Sequence, residues 1–244
     1  MTGASLGIGA SVAKAFGAQG MKVVVHYNRS QGPAQAVAAA IEQCGGEALL
    51  VGADVRDTGA VAQCIAQALV QFGRIDVLVN NAGSLVQRAL LEDQSDELFD
   101  EIMHVNARSA MTFTRQVVQH MRAQQHGGSI IHVTSMAARN GGGPGSSLYA
   151  GSKGFLSTVT RALARELVQD RIRVNAVAPG VINTPLQDQF STPQMLESFK
   201  AGIPMGRLGV ADDCAGAFLY LASEMMSGFV TGQTIEVNGG QVMF

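Results

Sequence analysis

The chain has 244 residues, of which 47% are hydrophobic and 15% charged, a composition that predicts one folded domain and argues against a disordered protein. With 17 Lys+Arg against 19 Asp+Glu, the net charge is -2, so the basic surface that nucleic-acid binding requires is not expected. The sequence has no apolar run of about 18 residues, no signal-peptide pattern and only the widely spaced Cys44, Cys64 and Cys214, so we expect a cytoplasmic protein without membrane spans or disulfides.

Short apolar runs alternate with stretches of helical period along the whole chain. The strands are predicted at 22–27, 48–51, 77–79, 129–134, 174–178 and 234–237. The helices are predicted at 11–19, 34–43, 59–72, 96–121, 149–168 and 211–223. Continuous apolar strands separated by helices are typical of a parallel sheet covered on both faces. Right-handed crossovers then give a Rossmann-type, doubly wound α/β fold, formed by 1–244 as a single domain.

Two segments break this alternation. Residues 140–147 are rich in Gly and Ser, and residues 181–204 follow Pro179-Gly180 and have no clean period. In open α/β sheets, ligands bind outside the carboxyl ends of the strands, where both segments begin. We therefore expect them to wall a binding site, with 181–204 as the substrate loop.

A glycine-rich turn opens the chain, reading Thr2-Gly3-Ala4-Ser5-Leu6-Gly7-Ile8-Gly9, and a helix follows at once. Glycines at this spacing let the backbone turn tightly and approach a pyrophosphate at the helix N-terminus, although a plain loop is the alternative. A strand normally feeds such a turn, and here only Met1 precedes it. The first strand is therefore expected to be truncated by about five or six residues, so that the natural product begins earlier or this chain is poorly stable.

Further motifs follow in chain order, most of them at strand ends. They are Asp54-Val55, Asn80-Asn81-Ala82-Gly83, Asn106 within a helix, Ser135, Tyr149-Ala150-Gly151-Ser152-Lys153, Pro179-Gly180 and Thr184. Each alone has a structural alternative, such as a turn or a solvated helix face. Together they resemble the short-chain dehydrogenase/reductase family, over a match that runs from Thr2 to Gly240.

The resemblance implies a Rossmann-type fold, a nicotinamide cofactor and hydride transfer at a carbonyl or alcohol. It also implies a homotetramer or homodimer built on the two long helices that contain Asn106 and Tyr149. The small-molecule substrate is left open.

The residue chemistry agrees with this. A ketone reductase needs a proton donor for the developing alkoxide. Tyr149 can serve if Lys153, one helical turn away, lowers the pKa of its phenol, and Ser135 can orient the substrate oxygen. By resemblance to the family, Asn106 holds a water that connects Lys153 to solvent. The expected catalytic residues are therefore Asn106, Ser135, Tyr149 and Lys153.

The cofactor prediction depends on the end of the strand predicted at 22–27 and the residues that follow it, Val25-His26-Tyr27-Asn28-Arg29-Ser30. An acidic residue there would select NAD, whereas Arg29 and Ser30 can bind a 2′-phosphate, so NADP(H) is favoured. Leu6, where many NADP-dependent relatives carry a basic residue, keeps NAD(H) open. The expected cofactor-binding residues are Gly3, Ser5, Leu6, Gly7, Ile8, Gly9, Tyr27, Asn28, Arg29, Ser30, Asp54, Val55, Asn81, Ala82, Gly83, Tyr149, Lys153, Pro179, Gly180, Ile182 and Thr184.

Three functions compete. The leading one is an NADP(H)-dependent reductase similar to the 3-oxoacyl-carrier-protein reductases. His126, where those reductases tend to carry Arg, weakens a fatty-acid role. A sugar or polyol dehydrogenase similar to the glucose dehydrogenases is the alternative, and a non-catalytic dinucleotide sensor is a third. The five histidines show no ligand spacing, so no metal site is expected.

Overall fold

The computed structural model describes residues 1–243, apart from the side chain at position 186. In this range the strands are Lys22–Tyr27 (β1), Glu47–Gly52 (β2), Val77–Asn80 (β3), Gly128–Val133 (β4), Ile172–Pro179 (β5), Ile182–Asn183 (β6), Gly209–Val210 (β7) and Thr234–Val237 (β8). The α-helices are Gly7–Ala18 (α1), Gln31–Gln43 (α2), Thr58–Phe72 (α3), Asp96–Met103 (α4), Ser109–Gln124 (α5), Ala137–Asn140 (α6), Ser147–Leu167 (α7), Pro185–Phe190 (α8), Pro193–Ala201 (α9), Ala211–Ala222 (α10) and Glu224–Ser227 (α11).

The main strands are all parallel, and they form one layer in two parts. β1 pairs with β2, while the other part has the order β3-β4-β5-β8. Residues 1–4 lie between β1 and β3: the amide of Thr2 donates to Val79 O at 3.0 Å and that of Ala4 to His26 O at 2.8 Å. The predicted doubly wound parallel sheet is confirmed.

Helices cover both faces of this layer. On one face α1, α2 and α10 bury Val12, Phe16, Ile41 and Phe218. On the other face α3, α5 and α7 form a second core cluster that includes Ile65, Phe113 and Leu167. Neighbouring residues of β4 belong to opposite clusters, Ile131 to the first and Ile130 to the second. Because side chains alternate along a strand, a strand that is buried on both sides needs the continuous apolar run that the sequence shows.

The predicted helix 96–121 is wrong as a single α-helix. The structure has α4, then a π-helical turn over His104–Arg108, then α5. The spacing of hydrophobic residues in the sequence does not distinguish a regular helix from one that contains a single wider turn. Such turns occur frequently at functional sites, and this one contains Asn106.

The segment 181–204, which has no clean sequence period, is ordered as β6, α8 and α9. Both helices begin with proline, a residue that suits the first helical turn because its missing N–H has no intrahelical partner there. β6 pairs in parallel with β7, which holds this segment over the carboxyl end of the main sheet. In the part of the chain that the structure describes, none of the helices has the length and apolar character to cross a membrane.

Candidate functional site

A cleft of ≈ 880 Å³ lies at the carboxyl ends of the strands. Its volume is at the upper end of the range of about 300–1,000 Å³ for small-molecule sites. The glycine turn forms one wall, and the loops after β3, β4 and β5 form the others. The cleft therefore lies at the carboxyl ends of the parallel strands, where a binding site is expected in an open α/β sheet.

The glycine turn has a backbone that other residues would not tolerate. Gly3 and Gly7 have φ of +60° and +53°, in the left-handed region that favours glycine. A Cβ on Gly9 would lie 2.1 Å from the carbonyl oxygen of Gly3. α1 begins at Gly7, and Leu6 before it supplies no side-chain cap. The first amides of α1 are thus left for an anion in the cleft.

Hydrogen bonds hold this turn against the loop after β3. Asn81 Nδ2 donates to the carbonyl oxygens of Thr2 and Gly3, at 3.0 and 2.8 Å. The hydroxyl of Thr2 accepts from the amides of Asn81 and Ala82 at 2.9 and 3.0 Å. The two loops therefore form one rigid unit. Thr2 was not predicted as a site residue.

His26, in β1, supports the turn from beneath. Burial lowers the pKa of its imidazole to about 4, so the ring is neutral at pH 7. Its Nδ1 accepts a hydrogen bond from the amide of Gly3 at 3.2 Å. A neutral acceptor at this position helps to hold the Gly3 peptide in its left-handed conformation.

The loops after β1 and β2 form one end of the cleft. Asn28, Arg29 and Ser30 line it, together with Asp54 and Val55. Tyr27 does not: its ring lies over Gly52 in β2, where a Cβ would come within 3.1 Å of the ring. The strand directs the Tyr27 side chain toward β2 and the core, so a role for Tyr27 in cofactor binding stays a prediction.

Two charged residues at this end of the cleft, Arg56 and Glu101, were not predicted from the sequence. Arg56 Nη2 lies 2.7 Å from Asp54 Oδ2, and Arg56 Nε lies 3.1 Å from each oxygen of the same carboxylate. Hydrogen bonding by Arg56 lowers the pKa of Asp54. Arg56 Nη1 also donates to Glu101 Oε1 at 3.2 Å, a residue 45 positions away. The guanidinium thus neutralises both acids and fixes the Asp54 carboxylate at the cleft.

Tyr149, Ser135 and Lys153 come together in the middle of the cleft. Burial raises the pKa of the Tyr149 phenol, and a hydrogen bond with Ser135 lowers it. Burial lowers the pKa of Lys153 to about 8, and its Nζ donates to Val133 O at 2.8 Å. The expected lowering of the phenol pKa by Lys153 is not what the structure shows: Nζ lies 5.7 Å from the ring centre, and burial is the larger effect on Tyr149.

Asn106 lies behind this group. Its Oδ1 accepts from Ser84 N at 3.0 Å, and its Nδ2 donates to Ser84 O and Ile102 O, at 2.8 and 3.0 Å. A Cβ on Gly83 would lie 2.6 Å from Asn106 Oδ1 and 3.1 Å from Lys153 Nζ. Asn106 and Lys153 therefore approach each other across Gly83, where only a glycine leaves them room.

Arg88, which was not predicted, joins three loops at the other end of the cleft. Its Nε donates to Phe190 O at 2.9 Å and its Nη1 to Pro144 O at 3.1 Å. These bonds tie the loop after β3 to the 181–204 segment and to the glycine-rich 140–147 loop. The two irregular segments of the sequence do wall the site together.

The structure brings most of the predicted residues to this cleft. Its lining contains Gly3, Ser5, Leu6, Gly7, Ile8, Gly9, Asn28, Arg29, Ser30, Asp54, Val55, Asn81, Ala82, Gly83, Ser135, Tyr149, Lys153, Pro179, Gly180, Ile182 and Thr184. Tyr27 and Asn106 are outside the lining, the first packed elsewhere and the second directly behind it.

Comparison with known proteins agrees with this geometry. A family model described as enoyl-(acyl carrier protein) reductase matches residues 3–241. A 3-oxoacyl-[acyl-carrier-protein] reductase of Synechocystis sp. is 40% identical over 248 aligned residues, which cover 100% of this chain and 96% of that protein. An L-rhamnose 1-dehydrogenase (NAD(P)(+)) of Sphingomonas sp. is 36% identical, with 98% and 94% covered. The crystal structure of a short-chain type dehydrogenase/reductase from Mycobacterium marinum superimposes with a TM-score of 0.94 at 34% identity, over 100% of this chain and 94% of that one.

The chain belongs to the short-chain dehydrogenase/reductase family. Members of this family bind a nicotinamide cofactor, and this enzyme is an oxidoreductase acting on alcohol or carbonyl groups. Its own residues fit such a cofactor: the glycine turn admits no Cβ at Gly9, and α1 presents uncapped amides for a pyrophosphate.

Four residues at the site of this dehydrogenase/reductase were not predicted from the sequence, and one reason accounts for all of them. Thr2, Arg56, Glu101 and Arg88 all act through partners that are distant in sequence or that are backbone atoms. The sequence held one usable signal, which is that Arg56 stands two residues after Asp54 at a strand end. Their other partners become visible only in the folded chain.

Gly83→Ala tests the contact between Asn106 and Lys153. The new methyl group would push both side chains apart, so we expect kcat to fall at least tenfold while the thermal unfolding temperature changes little. Steady-state rates and circular dichroism would measure the two effects.

Gly216→Ala is the matched control, since Gly216 lies in α10 and a Cβ there meets nothing within 4 Å. It should leave kcat unchanged and raise stability by about 0.5–1 kcal/mol. Normal turnover in Gly83→Ala would show that the spacing of Asn106 and Lys153 is unimportant.

Proposed function

We propose that this enzyme is an NADP(H)-dependent oxidoreductase that interconverts a ketone and a secondary alcohol, with Tyr149 as the proton donor. The observation that carries the proposal is the convergence of Tyr149 and Ser135 on the cleft, with Lys153 buried one helical turn away. These are the groups that a carbonyl oxygen needs when it becomes an alkoxide.

The residues have separate tasks in this mechanism. A bound nicotinamide supplies the hydride for reduction or accepts it in oxidation. Tyr149 donates the phenolic proton to the carbonyl oxygen, and Ser135 donates a hydrogen bond to the same oxygen. Lys153, held by Val133 O, keeps a positive charge near the phenol. Asn106, which bonds to Ser84 and Ile102 and lies beside Gly83, would connect Lys153 to solvent.

The rest of the cleft would hold the cofactor. The turn 3–9 would bind the pyrophosphate and Asp54-Val55 the adenine, with Asn81-Ala82-Gly83 beside the ribose. Pro179, Gly180, Ile182 and Thr184 would flank the nicotinamide. Arg56 would assist by holding the Asp54 carboxylate in one orientation.

NADP(H) is the proposed cofactor because of the charge at the first end of the cleft. Arg29 is exposed and makes no ion pair within residues 1–243, whereas Arg56 is neutralised by its two acids. Ser30 precedes α2 without capping it, and among the first three residues of that helix Gly32 alone offers its amide, because Gln31 N donates to Arg29 O and Pro33 has no N–H. The Arg29 guanidinium, the Ser30 hydroxyl and the Gly32 amide form a set of donors suited to a 2′-phosphate.

Two substrate classes have support. The 40% identity to a 3-oxoacyl-[acyl-carrier-protein] reductase favours a 3-oxoacyl-like ketone. The similarity to an L-rhamnose 1-dehydrogenase, and the amide side chains of Asn140, Gln187 and Gln241 in the cleft lining, favour a sugar or polyol, whose hydroxyls pair with amides. Turnover on a panel of 3-oxoacyl thioesters and of aldoses would decide between them, and no turnover on either would favour a dinucleotide sensor.

We further propose that the enzyme is a cytoplasmic homotetramer or homodimer built on the helices near Asn106 and Tyr149. Two aromatic side chains on those helices support this, Phe99 on α4 with 49% of its surface exposed and Phe155 on α7 with 40%. Exposed aromatic groups on neighbouring helices are typical of an interface core.

Tyr149→Phe removes the phenolic hydroxyl and keeps the ring. Since general acid catalysis contributes about 10²–10⁴-fold, kcat on an accepted ketone should fall at least about a hundredfold. NADPH affinity, measured by fluorescence titration, should survive. Tyr220→Phe, on α10 outside the cleft, should behave as the unmodified enzyme, and near-normal turnover in Tyr149→Phe would assign the proton to another group.

Ser135→Ala tests the pH dependence. Alcohol oxidation needs the phenolate of Tyr149, so its rate rises with pH through the pKa of that phenol. Because Ser135 lowers this pKa, its removal should move the midpoint of the rise to higher pH. Thr134→Ala is the control, since the Thr134 hydroxyl donates to Val177 O at 3.1 Å instead. An unshifted midpoint in Ser135→Ala would contradict the assignment.

Arg29→Ala tests the cofactor choice. NADPH should bind the unmodified enzyme at least about tenfold more tightly than NADH, a difference of about 1.4 kcal/mol. The variant should lose most of that preference with little change for NADH. Lys14→Ala removes the same charge from an exposed position on α1 and should preserve the preference. A preference of the unmodified enzyme for NADH would overturn the proposal.

A further inference from the structure

A buried chain of four hydrogen bonds crosses the interior of the domain. Asn80 Nδ2 donates to Thr114 Oγ1 at 2.9 Å, and Thr114 Oγ1 lies 3.4 Å from Nε2 of His132. On the other side of the imidazole, Nδ1 lies 2.9 Å from Thr160 Oγ1, and Thr160 donates to Leu156 O at 2.7 Å. The chain therefore joins β3, α5, β4 and α7. These side chains do not line the cleft, so the mechanism proposed above gives them no task.

The protons of this chain have one consistent arrangement. The Thr160 hydroxyl donates to a carbonyl of its own helix, so toward His132 it can only accept. Nδ1 of His132 is therefore protonated, and Nε2 is the acceptor for the Thr114 hydroxyl, whose oxygen already accepts from Asn80. The arrangement requires a neutral imidazole, in agreement with the pKa of about 4 to which burial and the charge of Lys153 lower His132. Because the chain is buried, a group that lost its partner would find no water to replace it.

The bond between His132 and Thr160 joins the two elements that carry the reacting groups. Ser135 lies just beyond the end of β4, three residues after His132, and Tyr149 lies on α7, eleven residues before Thr160. The Ser135–Tyr149 pair is itself hydrogen-bonded. These two pairs therefore connect the same strand to the same helix at two places. A movement of α7 that broke one connection would change the geometry of the other.

Lys153 alone holds α7 less exactly. Its Nζ donates to Val133 O at 2.8 Å, but the four-carbon stem is flexible, so this bond tolerates a shift of the helix. The apolar contacts of α7 with the second core cluster are non-directional. The imidazole of His132 is a rigid ring, and its bond to Thr160 has a defined length and direction. His132 is thus suited to fix the position of α7 on the sheet.

We propose that His132 is a positioning residue, which holds α7 against β4 by its hydrogen bond to Thr160. It thereby keeps the Tyr149 hydroxyl within reach of Ser135 and of the substrate carbonyl, an inference that rests on the proposed function. Without the bond α7 would shift, and a misplacement of about 1 Å can cost about a hundredfold in rate. The shift would also weaken the bond from Ser135 that lowers the pKa of Tyr149, so that pKa would rise.

Two substitutions of equal shape at His132 test this role. Asparagine places an amide nitrogen near the position of Nδ1 and can donate to Thr160, whereas leucine has no donor. In His132→Leu, kcat for alcohol oxidation should fall at least about tenfold. The midpoint of its rise with pH should move upward, as in Ser135→Ala. His132→Asn should keep both values near those of the unmodified enzyme, and NADPH affinity should be unchanged in both variants.

The partner residue is tested in the same way. Thr160→Val loses the acceptor and should match His132→Leu, while Thr160→Ser keeps the hydroxyl and should behave as the unmodified enzyme. Ser157→Ala is the matched control, since Ser157 is buried on the same helix and its hydroxyl donates within that helix, to Lys153 O at 3.1 Å. It should change neither kcat nor the midpoint.

Rates are measured below the unfolding temperature of each variant and divided by the folded fraction from circular dichroism, so lost stability alone moves neither value. A kcat and a midpoint in Thr160→Val equal to those in Ser157→Ala, with Tyr149→Phe inactive, would overturn the positioning role and leave the proposed function intact. Full turnover in Tyr149→Phe would contradict the proposed function, and the positioning role with it.

Discussion

The close approach of two backbone loops is the constraint on which the site depends. The turn of residues 2–9 and the loop after β3 touch through Thr2 and Asn81, with four hydrogen bonds between 2.8 and 3.0 Å. Within the turn, the first residues of α1 pass so near Gly3 O that Gly9 has no space for a Cβ. This packing aims the uncapped N-terminus of α1 into the cleft. It also places Gly83, two residues after Asn81, against Asn106 and Lys153.

The catalytic end depends on a second backbone contact. Val133 O, at the end of β4, accepts the hydrogen bond of Lys153 and so holds a buried ammonium at a set distance from Tyr149. Next to it in β4, His132 is buried, with Nδ1 2.9 Å from Thr160 Oγ1. Because Thr160 donates its own proton to Leu156 O, Nδ1 must be the donor in this pair. Burial and the charge of Lys153 lower the pKa of His132 to about 4, so the imidazole stays neutral and adds no second positive charge beside the lysine. The hydrogen bond from His132 to Thr160 joins β4 to α7.

The two ends of the cleft use charge in different ways. At the first end Arg56 is fully paired by acids, and Arg29 remains exposed toward solvent. At the other end Arg88 bonds to carbonyl oxygens of two loops and has a lowered pKa because of its burial. Arg29 is thus suited to bind an anionic ligand, whereas Arg88 maintains the shape of the substrate region. The number of arginines near a cleft says little about its preference for anions until their partners are known.

The sequence by itself determined the features that local geometry controls. The strands, the glycine turn and the one-turn separation of Tyr149 and Lys153 follow from the period of a strand or helix, and parallel strands bring the motifs at their ends to one edge. Only the tertiary structure decided that Tyr27 packs on Gly52, that Arg56 reaches Glu101 and that a π turn carries Asn106. It also decided that burial, more than Lys153, governs the pKa of Tyr149. These outcomes depend on which distant residues share a buried space, and neither strand period nor helix period contains that information.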